Sequence, residues 1–451
     1  MKKSFIIGST LLLLSCSLTA QIGKRFASER KTVKDPVTGT ALTFLTSTPT
    51  GDSKIYQTHT QWTSDGEWLI FRSSRAKNEA MAVNEKSGDM VQVTEGGYSG
   101  MLCLARKSMK LYFMRNASQD TSLRRNMPME IVEADLEKIF ADSKSGTMKS
   151  PSFYQRICGT VSGEISAGSD MGLDADEQFV YFKIGRTEAT KHLSASTKVE
   201  SSFGPRNMGA GPGGLMSMNI QTGELKYIVS VPFQIGHVQT NPWMPGEIIF
   251  CWETGGKSPQ RTWVVKADGT GLRPLYPEAD YEWVTHEAVI TKDEVAIAIM
   301  GHRKIPGTNN SSAPGTEVSG ANPGQETAWG PSGTREKPTG LGIVNLRTRE
   351  MVIIGQTPEG SGLWHVNGSP DGRWAVGDDF KRNIYLIDRK TREMILLSAG
   401  HKETAADHPH PTFSADSKKI EIQSAMLSSD NRSMNICIIP VPEEWLKRYP
   451  K

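Results

Sequence analysis

Apolar and polar residues alternate with a period near two along most of this chain, and few stretches carry the period of an amphipathic helix. One phrase recurs: a short strand, a polar turn, then a strand of apolar alternation. It stands at 62–71 (WTSDGEWLIF), 105–113 (ARKSMKLYF), 173–182 (LDADEQFVYF), 243–250 (WMPGEIIF), 290–297 (ITKDEVAI), 368–376 (GSPDGRWAV) and 410–422 (HPTFSADSKKIEI). A second hairpin signal follows most copies, at 84–89 (NEKSGD), 219–224 (NIQTGE), 266–269 (KADG), 345–350 (NLRTRE) and 388–393 (DRKTRE). Two hairpins per repeat make a four-stranded antiparallel sheet. Seven such sheets set radially make an all-β fold, a seven-bladed β-propeller, whose closure protects the strand edges. The early apolar segment 41–45 is placed to complete the last blade and close the ring. Copy spacing is uneven, and the Ser-, Gly- and Met-rich stretches 142–168 and 187–213 read as loops. Residues 303–338, with Trp329 nearly alone among polar neighbours, read as a long loop inside blade five.

The ends and the charge change this picture little. Met1-Lys2-Lys3 followed by an apolar run to Leu14 reads as a signal peptide cleaved after Ala20, which leaves 21–451 as one propeller domain. Ser15-Cys16 after two leucines also offers a lipid-anchored alternative through Cys16. Either form places the product outside the cytoplasm, periplasmic or secreted. The formal charge of +3 falls to +1 without Lys2 and Lys3, and there is no long like-charge block, so a nucleic-acid surface is not expected. Cys103, Cys158, Cys251 and Cys437 show no CxxC spacing, so a thiolate zinc site is not expected, and Cys251 and Cys437 lie in apolar runs as buried thiols would.

The histidines change it more. His408-Pro-His410-Pro reads as an extended segment with two imidazoles on one face, because each proline keeps the residue before it out of the helical region. Counted back from the turn of each copy, His59, His286, His365 and His410 stand six residues before it, and His237 and His408 eight. Six of the nine histidines thus share one register of the first strand, which lines the channel of a propeller. Converging neutral imidazoles are what a divalent transition metal needs. A wet, polar channel that merely tolerates histidine is the plainer alternative. His192, His302 and His401 fall in loop-like sequence and read as solvated.

At this point the chain resembles the oligogalacturonate lyase family of seven-bladed propellers. The resemblance rests on Ile235-Gly-His237, PGEIIFC at 245–251, Arg261-Thr-Trp263 with the VVKADGT after it, Thr285-His286-Glu287 and HPHPTF at 408–413. It implies β-elimination of short galacturonate oligomers with a manganese ion as cofactor. It implies His286, His408 and His410 as metal ligands and His237 as general base. Two positions depart from the family pattern: Ala405 stands where a glutamine ligand is expected, and Gly214 where a catalytic arginine is expected. Asp407, His365 or water is left to complete the coordination.

The chemistry such residues would perform is removal of the C5 proton of a uronate. A metal on the carboxylate would stabilise the developing charge, and a histidine would take the proton. Arg261 is a candidate to pair with a substrate carboxylate, although a strand-surface ion pair explains it equally well. His59, His365 and Arg206, the last in the Gly-rich loop, complete the expected substrate contacts with a uronate oligosaccharide. Two other readings compete: a non-catalytic binding propeller of the periplasmic assembly type, and a glycoside hydrolase. The second would need a pair of channel carboxylates that the register does not supply. A serine peptidase is disfavoured, since no G-x-S-x-G occurs and no chain remains for a catalytic domain.

Overall fold

The turn phrases fold as they do because their polar residues close the turns with their own side chains. In the first hairpin of three blades a hydroxyl donates to the aspartate two residues on: Thr63 to Asp65 at 2.5 Å, Ser369 to Asp371 at 2.7 Å and Ser414 to Asp416 at 2.6 Å. In the outer hairpins one side-chain oxygen of Asn84, Asn219, Asn345 or Asp388 accepts two successive backbone N–H groups. The turn then ends on a residue with positive φ, Gly88, Gly223, Arg349 or Arg392.

The computed structural model describes residues 21–118, 127–168, 170–201, 208–254, 258–279, 282–299, 339–357 and 362–449. Seven antiparallel sheets account for the strands. Their innermost strands, in chain order, are Asp52–Lys54, Ser99–Leu104, Met171–Leu173, Ile235–Thr240, Val284–Thr291, Val366–Gly368 and Thr412–Phe413. Five sheets have four strands, and the first and last have five. The segment at 41–45 closes the ring as expected: Ala41–Phe44 pairs with Asn435–Pro440, with Phe44 opposite Cys437. The export segment, Arg206, His302 and the 303–338 loop lie outside the described residues. Among the described residues no helix is long and apolar enough to cross a membrane.

The stretch 142–168 is not all loop. Gln155–Val161 is the outermost strand of blade two, reached through the helix Leu136–Ser145, and its alternation is masked by Gly159 and by a bulge at Cys158 within it. The core is divided among the seams between blades. Seven apolar clusters each join two neighbouring blades, so every sheet is buried on both faces. The four cysteines are buried free thiols.

Phe44 fills the seam between blades six and seven from the strand that closes the ring. Phe44→Ala is therefore expected to cost about 3–5 kcal/mol. A urea denaturation midpoint unchanged by the substitution would show that this strand does not carry the closure.

Candidate functional site

The innermost strands bring five of the six register histidines together, though not by simple alternation. In blade four, His237 and Val238 stand opposite Phe250 alone, and His237 has φ +49°. In blade five a second bulge precedes His286. In blade seven His410 has φ +51°, so the HPH segment is not extended, and pairing begins only at Thr412. Each irregularity re-aims an imidazole that regular pleating would send elsewhere. His365 makes ring contacts with His286 at 4.3 Å, His408 at 5.1 Å and His410 at 3.7 Å, and His237 lies 5.8 Å from His286. These side chains stand at the N-terminal ends of their strands.

His59 is the exception. Lys54 pairs with Phe71 and Trp62 with Leu69, so residues 55–61 loop out opposite Ile70 alone. Counting back from Asp65 as though the strand were continuous therefore misplaces His59. The inserted segment crosses the channel. It presents Tyr56 to the cluster, with ring distances of 5.2 Å to His237 and 5.1 Å to His410, and sets the Gln57 Oε1 2.7 Å from His410 Nδ1. His59 instead meets the Met171 carbonyl at 2.8 Å. It lines a cavity of about 460 Å³ at the opposite, C-terminal ends of the strands, beside Arg106, Trp243 and Phe413.

The site has two halves. Around His237, Nδ1 lies 2.8 Å from Glu287 Oε1, and Nε2 lies 3.4 Å from Glu253 Oε2. Arg261 is 4 % exposed. Its Nε donates to Glu287 at 3.2 Å, and its guanidinium stands 3.7 Å from Glu253. Arg261 is thus neither on the surface nor free of carboxylates. Burial pulls the His237 pKa down, but the charge and hydrogen bond of Glu287 outweigh it, so the net shift is upward.

The other half holds His286, His365, His408 and His410 around Asp378, which is fully buried. Its carboxylate accepts the backbone N–H groups of His365 at 2.8 Å and His410 at 3.1 Å, and it faces His365 Nδ1 at 3.1 Å. Burial, then the neighbouring imidazoles, hold His286 far below its ordinary value and His365 down to about 3, despite Asp378. His410 is also lowered, by burial.

Among the described residues, two groups have donors close enough for one cation: His237, Cys251 and Glu253, and His365, Asp378 and His408, with ligand atoms within 4.8 Å of one another in each. The Arg261 guanidinium against Glu253 opposes a second cation in the first group. The second suits one. His286 Nδ1 and His408 Nδ1 are buried without a hydrogen-bond partner, which costs about 1–3 kcal/mol each unless a ligand takes the lone pair. The free nitrogens of His286 and His408 fit a transition metal, and His410, whose Nδ1 faces Gln57 and Nε2 faces Asp407, joins them by giving up one of those contacts.

Four contributors carry no histidine signal: Tyr56, Gln57, Glu287 and Asp378. The last two were visible only as acids inside apolar strands. The departures also have structural explanations. A Cβ on Gly214 would lie 2.9 Å from both the Ile184 side chain and the Val229 carbonyl, so no arginine fits there. Ala405 packs with Ala425 and Met434, while Asp407 places a carboxylate oxygen 3.1 Å from His410 Nε2. His401 is not solvated: it is buried between the Ser398 and Ser424 hydroxyls and pushed down to about 4. His192 stacks on Tyr227 at 3.8 Å.

No family model and no curated protein matches the chain by sequence. Solved structures do match in fold. An oligogalacturonate lyase in complex with manganese aligns with a TM-score of 0.69 and 18 % identity, over 94 % of this chain and all of that one. An oligogalacturonate lyase from Vibrio parahaemolyticus aligns with a TM-score of 0.68, at the same identity and coverage.

Proposed function

We propose that the protein is a metal-dependent lyase that cleaves uronate-containing, oligogalacturonate-like oligosaccharides by β-elimination. The observation that carries this reading is the pairing of the two halves: an imidazole backed by a carboxylate stands 5.8 Å from a cluster of four imidazoles in which His286 Nδ1 and His408 Nδ1 are buried without a hydrogen bond. The two lyase structures of the same fold, one of them with manganese, support the reaction class. In this reading His286, His408 and His410 hold a divalent ion, manganese by that likeness. The ion supplies Lewis-acid stabilisation of the substrate carboxylate as charge builds on it.

The remaining work belongs to side chains of this chain. Glu287 accepts a hydrogen bond from the Nδ1–H of His237 and so favours the tautomer in which Nε2 is the base. Nε2 accepts the C5 proton, the C5–H electrons form the C4–C5 double bond, and the C4–O bond breaks with its pair leaving on the oxygen, which is then protonated. Arg261 holds Glu287 on the Nδ1 side of the base and Glu253 on its Nε2 side, so a substrate carboxylate would have to share it. His365, expected as a substrate contact, is 3 % exposed among the other imidazoles and would meet substrate only through the ion, and Arg206, outside the described residues, is proposed as a further substrate cation. His59, across the inserted segment, would reach only substrate that enters from the other mouth. The export segment read from the sequence at 1–20 supports an activity outside the cytoplasm.

Gly214 and Ala405 remove two groups expected for a digalacturonate enzyme, so another uronate oligosaccharide is the proposed substrate. The test compares turnover on digalacturonate with turnover on other uronate oligosaccharides, manganese supplied, by the ultraviolet absorbance of the unsaturated product. Turnover is expected to be higher on a substrate other than digalacturonate. Efficient digalacturonate cleavage would overturn the substrate assignment. No unsaturated product from any uronate would favour a non-catalytic binding propeller.

A further inference from the structure

We infer that His365 is a fourth nitrogen ligand of the metal, held in place by Asp378, and that it supplies the donor missing at Ala405. The inference rests on the metal-dependent reading above. Among the described residues, His365 is the imidazole in ring contact with each of the other three, His286, His408 and His410. An ion reached by those three therefore lies beside His365. Imidazoles bound side by side through nitrogens about 2.0–2.1 Å from an ion have ring centres roughly 4.5–5.5 Å apart. The separations of 4.3 and 5.1 Å from His286 and His408 meet this closely, and the 3.7 Å to His410 asks that one ring swing outward slightly.

The ring is also oriented for the task. Its hydrogen bonds are made by Nδ1, at 3.1 and 3.2 Å from the two Asp378 oxygens, which leaves Nε2 with its lone pair. A carboxylate behind the distal nitrogen is the usual way a ligating histidine is fixed in tautomer and made a better donor. Asp378 serves as this support rather than as a ligand. Both its oxygens already accept, from the His365 N–H and ring and from the His410 N–H. His365 is 3 % exposed, so its ring cannot turn to seek another partner. Ala405, by contrast, faces Ala425 and Met434.

Four nitrogens leave room on a six-coordinate ion for two oxygens, as a substrate carboxylate needs. They also shift preference from oxygen-loving calcium and magnesium toward manganese, iron, nickel or zinc.

The experiment loads the full chain with Mn²⁺ and with Cu²⁺ as a spectroscopic probe. Metal affinity is measured by competition with a chelator, and bound imidazoles are counted by pulsed electron paramagnetic resonance. The wild type is expected to couple four imidazoles. His365→Ala is expected to couple three and to bind Mn²⁺ at least tenfold more weakly. Asp378→Asn is expected to keep four while weakening binding about 10–100-fold, as loss of a supporting carboxylate does. His365→Gln, which keeps a donor of similar reach, guards against a folding defect: it is expected to retain binding with three coupled imidazoles. Circular dichroism checks each variant. A wild type that binds metal through three imidazoles, with His365→Ala unchanged, would overturn the inference alone. A wild type that binds no divalent metal would overturn both it and the reading on which it rests.

Discussion

Replacing His408 and His410 together with alanine is expected to leave a folded propeller that retains no metal after dialysis and has no measurable lyase turnover. Both imidazoles contact His365, and His408 Nδ1 is buried without a hydrogen bond, 3.7 Å from Asp378 Oδ2. His410 is fixed from three sides, by Gln57, by Asp407 and through its backbone N–H by Asp378. Removing both leaves too few nitrogens to displace water from a divalent ion. Loss of Lewis-acid stabilisation worth several kcal/mol corresponds to about a thousandfold or more in rate. The fold should survive, because both residues precede the strand Thr412–Phe413 and neither fills a seam between blades. Metal analysis and product absorbance read the two losses separately. Metal content equal to that of the wild type would remove these residues from the ligand set.

The architecture was legible because each turn carries its own chemistry. A hydroxyl two residues before an aspartate, or an Asx residue followed by a left-handed position, closes a hairpin locally whatever surrounds it. The strand–turn–strand phrase, repeated seven times, numbered the blades, and these bonds close its first turn in three of them. Convergence of the histidines was legible for a partly mistaken reason. Parity along a strand assumes regular pleating, whereas His237 sits in a bulge and His410 in a left-handed turn. The same assumption failed at His59, where 55–61 interrupts the strand and sends the ring to the Met171 carbonyl. An insertion inside a strand has no period to betray it. Gln155–Val161 was hidden for a related reason, since its partner strand lies across a helix. Glu287 and Asp378 could have been flagged, because an acid inside an apolar strand must find a buried partner. Their partners, His237 and His365, come from a neighbouring blade and a neighbouring strand, and only the fold supplies those pairings.

His237→Ala is expected to lower turnover by about a hundredfold to ten-thousandfold, the range of a lost general base, while the protein keeps its metal. The two halves of the site make these effects separable. His237 is bonded to Glu287 and faces Glu253, and Arg261 stands between those carboxylates, whereas the metal-binding imidazoles are tied to Asp378, Gln57 and Asp407. Cutting His237 back therefore removes a proton acceptor without removing a donor from the cluster. It also leaves Glu287 bonded to Arg261, so the buried carboxylate is not orphaned and the fold should hold. Glu287→Gln makes a graded companion. It keeps a hydrogen-bond acceptor at Nδ1 but loses the charge that raises the His237 pKa, so turnover should fall by less than in His237→Ala. A different pattern would redistribute the roles. If His237→Ala lost metal and activity together, His237 would be a ligand. The base would then have to be sought among the groups left around Tyr56, whose ring touches both His237 and His410.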